Sequence, residues 1–189
     1  MNRISKVFTT IAATAVLVVS GTPSKATGTF EEHRVLWEAI QRAGVTTAVN
    51  DPQYCNDGAD GMYLWVGGEA ALIICQDNAK LLSSEEVPWT SNDLDTLRHE
   101  AQHLIQDCND GTIADSQTSL LFNDTEALLK FVTDAGLSKD QVQQIINVYR
   151  ENGASDEVIL REIEAFAVAK SVSPHVIADK IIDFCGVSQ

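Results

Sequence analysis

The segment His99-Glu100-Ala101-Gln102-His103 carries the most specific chemical pattern in the chain. On a helix, residues four apart lie on one face, one turn above the other. Two imidazoles so placed can grip one metal ion, and the glutamate beside the first histidine flanks it. Zinc is the expected ion. It acidifies a coordinated water toward neutral pH, and a carboxylate placed as Glu100 is can take the proton and pass it to a leaving amine. The reaction implied is hydrolysis of an amide, with a peptide or protein as substrate.

A catalytic zinc takes three protein ligands and keeps one position open. With the third ligand in question, the pattern resembles that of the zincin metallopeptidases, which carry it on their active-site helix. The metzincin branch has a histidine six residues further on, and that position here is Asn109. Gly111-Thr112-Ile113-Ala114-Asp115 matches the start of an aspzincin segment, yet follows the helix too closely. Arg161-Glu162-Ile163-Glu164-Ala165-Phe166-Ala167 is similar to the gluzincin Glu-x-x-Ala-Asp segment, with Phe166 where an acid or amide usually stands. The resemblance implies His99, His103 and Glu162 as metal ligands and Glu100 as general base and acid. It also implies a substrate strand laid along a sheet edge, here the run 70–75.

Helical projection bears on the same choice. At about 100° per residue, Glu162 falls between Val158 and Phe166 on the apolar sector, and Glu164 falls on the other side near Arg161. A carboxylate on an apolar face needs a partner, because burying an unpaired charge is costly. A metal is one such partner and a basic side chain is another. Glu164 stays open as the alternative ligand.

Other polar groups have weaker claims. His33 sits on the polar part of an early helix and is expected to be solvated. His175 follows Pro174 near a helix start. Tyr63 and Tyr149 are candidate oxyanion donors. Gln106 can orient a ligand histidine, although a solvated glutamine is the expectation. Trp37, Trp65 and Trp89 read as anchors of core and loops.

The elements that must position these groups follow from periodicity and punctuation. Residues 30–43 read as a helix stopped by Gly44, and 45–49 as a β-branched strand. Asn56-Asp57-Gly58 is a turn signal, and runs 62–66 and 70–75 about Gly67-Gly68 read as a hairpin. After a loop over 81–90, Ser91 or Asn92 is expected to cap the motif helix, which runs to about 107. Leu94, Leu97, Ala101 and Leu104 give that helix an apolar stripe beside its histidines. Further helices are expected over 124–135, from Ser138 to 152, from 155 to 170 and from Pro174 to 185. Ser138 with Gln141 makes a capping box. The fold class is therefore α+β, mainly helical with a small antiparallel sheet, in a single domain over 27–189.

Composition sets the surroundings. Arg3 and Lys6 precede an apolar run over 7–19, and Ser24-Lys25-Ala26 has the small residues of a cleavage site. This is the pattern of a signal peptide over 1–26, giving a secreted or periplasmic protein with no membrane span after cleavage. Cleavage removes Arg3, Lys6 and Lys25 and no acid, moving the net charge from −14 to −17. Such a charge repels phosphate and anionic lipid and argues against a nucleic-acid partner. Four cysteines in an exported chain imply two disulfides. Of three pairings, Cys55–Cys75 and Cys108–Cys185 are expected, the first closing the hairpin region and the second tying the motif helix to the C-terminus. Nothing in the sequence sets the oligomeric state. The alternative to an enzyme is an exported, disulfide-stabilised binding domain whose motif is decayed or accidental.

Overall fold

The computed structural model describes residues 28–55, 58–79, 87–109, 111, 113, 117–122 and 124–186. The expected signal peptide, most of the loop over 81–90, and Asn56-Asp57 of the turn lie outside the described residues. The order is α1 (Phe30–Arg42), β1 (Thr46–Val49), β2 (Gly61–Val66), β3 (Glu69–Ile74), α2 (Ser91–Cys108), α3 (Thr125–Asp134), α4 (Lys139–Glu151), α5 (Asp156–Ser171) and α6 (Pro174–Phe184), with a short 3-10 turn at Asp77–Ala79. This is the mainly helical α+β fold expected.

The sheet has the order β1-β3-β2. β2 and β3 form an antiparallel hairpin through Gly67 and Gly68, both at positive φ. A two-residue turn of that kind matches the natural strand twist and is open to glycine at no steric cost. β1 joins β3 in parallel, with Thr46 opposite Ala71 and Val49 opposite Ile74. The sheet is therefore mixed, where hairpin logic alone predicts an antiparallel one. Because β3 is paired on both sides, its run is the centre of the sheet and cannot be the substrate edge anticipated for it.

Local chemistry sets the helix starts. Thr90, not Ser91 or Asn92, caps α2: its hydroxyl accepts from the Asp93 N–H at 3.1 Å, and the Asp93 carboxylate accepts from the Thr90 N–H at 2.7 Å. Both orphan donors are satisfied reciprocally. Ser138 and Gln141 make the expected box at α4. Ser155 caps α5, and Ser173 caps α6 with Pro174 in its first turn.

Two apolar cores form. The first joins α1, the sheet, α2 and α6 through Leu36, Ile40, Leu72, Leu97, Leu104 and Ile177. The second joins α3, α4 and α5 through Leu128, Ile145, Tyr149, Ile159 and Ile163. α5 serves both, because Val168 belongs to the first and Ala167 to the second. The disulfides are Cys55–Cys75 and Cys108–Cys185, the pairing expected. They point to an oxidising environment. No helix among the described residues is long and apolar enough to cross a membrane.

Candidate metal centre

α2 and α5 pack along each other, and their facing sides bring His99, His103 and Glu162 together. His99 Nε2 lies 3.1 Å from His103 Nε2 and 3.2 Å from Glu162 Oε2, and His103 Nε2 lies 3.5 Å from Glu162 Oε1. Nitrogen and oxygen ligands at 2.0–2.1 Å around a tetrahedral zinc would stand about 3.3–3.4 Å apart. Each nitrogen thus lies at ligand-like spacing from the other and from one oxygen of the Glu162 carboxylate, and the group can hold a metal ion. The side chains keep 10%, 17% and 12% of their surface exposed for His99, His103 and Glu162.

The hydrogen bonds around the group decide how His103 presents itself. Gln106 Nε2 donates to the Arg161 carbonyl at 3.1 Å and to Glu164 Oε1 at 3.3 Å. Its amide oxygen must then face His103, whose Nδ1–H donates to it at 2.9 Å. With the proton on Nδ1, the Nε2 lone pair of the neutral ring points toward His99 and Glu162. This is the tautomer a metal ligand needs. Gln106 is therefore fully buried and occupied, not solvated as expected.

Glu164 is also buried, but away from the triad. It accepts from the side chains of Gln102 and Gln106 and from the Leu121 N–H at 3.1 Å. Burial pushes its carboxyl up, and these donors, with the Phe122 N–H, pull against that. The structure places Glu162, not Glu164, beside the histidines. Glu164 anchors the glutamine that orients His103.

Glu100 lies on the strand side. α2 crosses β2 at Gly61, where an added Cβ would stand 2.5 Å from Thr96 Cγ2 and 3.4 Å from Glu100 Cγ. Only glycine admits that approach. One step along the strand, the Tyr63 N–H donates to the Glu100 carboxylate. The edge of β2 nearest the site is thus already covered by α2. Burial, with the nearby negative charge of Glu162, raises the Glu100 pKa, against the opposing pull of His99, His103 and Tyr63. A raised carboxyl beside a metal-binding triad suits a group that must take up and release a proton.

The charges of the triad are coupled. Burial alone would lower His103, yet the Glu162 carboxylate, with Glu100 and Gln106, lifts it to about 9. Burial alone would raise Glu162, yet His103 and His99 hold it far below the usual carboxylate range. A proton on His103 supplies part of the positive charge that a bound cation would supply.

The tyrosines divide. Tyr149, buried on α4, bonds through its hydroxyl to Glu162, and burial beside that carboxylate pushes its pKa up. It can steady Glu162 or donate to an oxygen at the site. The Tyr63 hydroxyl instead donates to Asp107 Oδ2 at 2.6 Å, joined there by Trp65 Nε1 at 3.1 Å. Its side chain is spent on the core, and only its backbone serves the site.

Two histidines stand elsewhere. His33 is buried: its Nδ1–H donates to the Thr29 carbonyl at 3.0 Å, and its Nε2 accepts from Arg98. Burial lowers its pKa, in keeping with a neutral ring. Arg98 also donates to the Ala169 carbonyl at 2.8 Å and pairs with Asp95, so this knot ties α1, α2 and the end of α5. The expected solvation of His33 fails because the side chain of Arg98 turns inward to meet it. His175 is exposed.

Sequence reasoning passed over one contact. The Phe166 ring packs edge-on against His99, with centroids 4.5 Å apart. His99 Nδ1, buried, has no hydrogen-bond partner among the described residues. The signal was present: Phe166 lies four residues after Glu162, so one helix face carries both. Comparison with protein-family models, curated proteins and solved structures yields no match to this chain.

Proposed function

We propose that this chain is an exported zinc-dependent hydrolase that cleaves amide bonds in peptides. The observation that carries the reading is the convergence of His99 Nε2, His103 Nε2 and the two oxygens of the Glu162 carboxylate, 3.1–3.5 Å between neighbouring groups, flanked by a Glu100 held in place by the Tyr63 N–H. Two imidazoles and one carboxylate are a donor set of catalytic zinc. The same set also suits ferrous iron. The two disulfides favour zinc, because an ion without redox chemistry suits an oxidising compartment. A signal peptide over 1–26 accounts for export in this reading.

When bound, zinc supplies Lewis acidity, polarising the substrate carbonyl and acidifying water. The chain's own residues do the rest. Gln106 fixes the His103 tautomer. Glu162 is steadied by Tyr149. Glu100, its pKa raised by burial, takes a proton from the attacking water and returns it to the leaving nitrogen. Resemblance to the gluzincin pattern points the same way.

A second reading is a metal-stapled exported binding domain without turnover, favoured by the small exposure of the three ligands. Elemental analysis of the purified protein beside His99→Ala and Glu162→Ala tests the site. About one zinc per chain, lost in both variants, supports it; no metal after zinc is supplied at neutral pH refutes it. Glu100→Gln separates the two readings. The hydrolase keeps its zinc and loses about 10²–10⁴-fold in turnover of a peptide library, whereas the binding domain loses nothing.

A further inference from the structure

A concavity lies apart from the triad, between α2, α3, α5 and α6. Its volume is about 320 Å³, and its walls include Ile105, Leu121, Phe131, Val168 and Ile177. None of His99, His103, Glu100 or Glu162 lines it. Mostly apolar hollows of this size with a few placed polar groups are the usual form of small-molecule sites.

The polar groups are sorted by depth. Gln102 and Glu164 line the cavity and are fully buried. Their hydrogen-bonding is spent inward: Gln102 and Gln106 donate to Glu164, as does the Leu121 N–H. At that end the polar groups are thus already engaged with one another. Lys180 is the cation among the lining residues, and it is exposed at the mouth with Val176 and Phe184. Its ammonium stands 5.5 Å from the Phe184 ring centroid, and no described carboxylate pairs with it. The exposed rim is thus apolar surface carrying one positive charge.

We propose that this cavity is a binding site for a single-chain aliphatic carboxylate, tail inward and head group at Lys180. The cavity holds roughly ten times the liquid volume of a water molecule, about 30 Å³, and a methylene is of similar size. A chain of about ten carbons therefore fits. The orientation follows from Lys180, the cation among the lining residues, standing at the exposed mouth while the inner walls are mostly apolar. The assignment needs no metal and does not rest on the hydrolase reading.

Sodium decanoate and 1-decanol, titrated into the full protein by calorimetry below the decanoate micelle concentration, test it. The wild type is expected to bind both at one site, with decanoate favoured about fivefold, the most an exposed ion pair supplies. Lys180→Gln, a surface change, should bring the two ligands level. Val168→Phe, which fills the cavity, should weaken both by tenfold or more. Absence of saturable decanoate binding overturns the proposal. So does a decanoate preference that survives in Lys180→Gln. Should Val168→Phe fail to fold, the Lys180→Gln comparison decides alone.

Discussion

Gln106→Leu isolates the link between the buried polar network and the metal. The leucine has similar bulk but removes the oxygen that accepts from His103 Nδ1–H and the nitrogen that donates to Arg161 and Glu164. His103 then loses its fixed tautomer. Partners of this kind are typically worth 10–100-fold in metal affinity, or about 1.4–2.8 kcal/mol. The metal-free fold should also lose about 1–3 kcal/mol, because buried polar groups are left unsatisfied. Gln102→Leu is the control: Gln102 donates to the same Glu164 but makes no bond to either histidine. Both variants should lower the melting temperature of the chelator-treated protein. Only Gln106→Leu should lower zinc affinity, measured by competition with a chromogenic chelator. If both variants weaken zinc equally, or if folded Gln106→Leu binds within twofold of wild type, then His103 is not oriented by Gln106 and the tautomer reasoning fails.

Two further predictions come from the same site. Phe166→Asn puts a carbonyl acceptor beside the His99 ring, whose buried Nδ1 has no partner among the described residues, and should raise zinc affinity by up to about tenfold; a fall in affinity in a variant that still melts cooperatively would show that packing against the ring matters more. In the metal-free protein the folded pKa of His103, about 9, lies above its ordinary 6.5. The resulting stabilisation is fully present below about pH 6.5, declines as pH rises, and is gone above about 9. Chelator-treated wild type should therefore lose melting temperature between pH 6.5 and 9 more steeply than His103→Gln, and equal slopes would count against the His103–Glu162 coupling.

The local signals in the sequence proved sound where neighbours alone decide structure. The i, i+4 histidines, the Ser138 capping box, the Gly67-Gly68 hairpin and the stripe Leu94, Leu97, Ala101 and Leu104 all depend on contacts within one element, and each stands as read. What pattern could not supply was the third dimension. β1 joins β3 in parallel because the chain from β1 passes across to β2 before returning, and no periodicity records that path. Projection put Glu164 outward, assuming α5 has one buried side. α5 is enclosed between two cores, so Ile159, Ile163, Glu164, Ala165 and Val168 are all buried and the outward sector almost vanishes. Gln106 and His33 looked like surface residues for the same reason: a polar residue reads as solvated until its buried partners, Glu164 and Arg98, are in place.

The position of the triad follows from this enclosure. α2 belongs to the first core, while the first half of α5, with Glu162, is set by the second, where Ile159 and Ile163 pack on Tyr149 and Leu128. Both disulfides lie within the first unit: Cys55–Cys75 at the sheet and Cys108–Cys185 between α2 and the end of α6. No disulfide ties the α3–α4–α5 layer to it. What holds the seam, apart from apolar contact, is a line of polar bonds: Arg98 to Ala169, Gln102 and Gln106 to Glu164, Arg161 Nη1 to the Thr118 carbonyl, and the His99–His103–Glu162 group. Each of these polar groups is costly to bury alone and is favourable only when its partner arrives from the facing element. The seam therefore specifies one register of α5 against α2. Sliding α5 by a turn would bring Phe166 to the histidines in place of Glu162 and would strand Glu164 without its donors. A metal site built across such a seam inherits its geometry from the packing of two cores. That is why a motif on one helix, legible by itself, could offer two candidate ligands and a neighbouring carboxylate, while the choice between Glu162 and Glu164 as the third, left open by the sequence, rests on the fold.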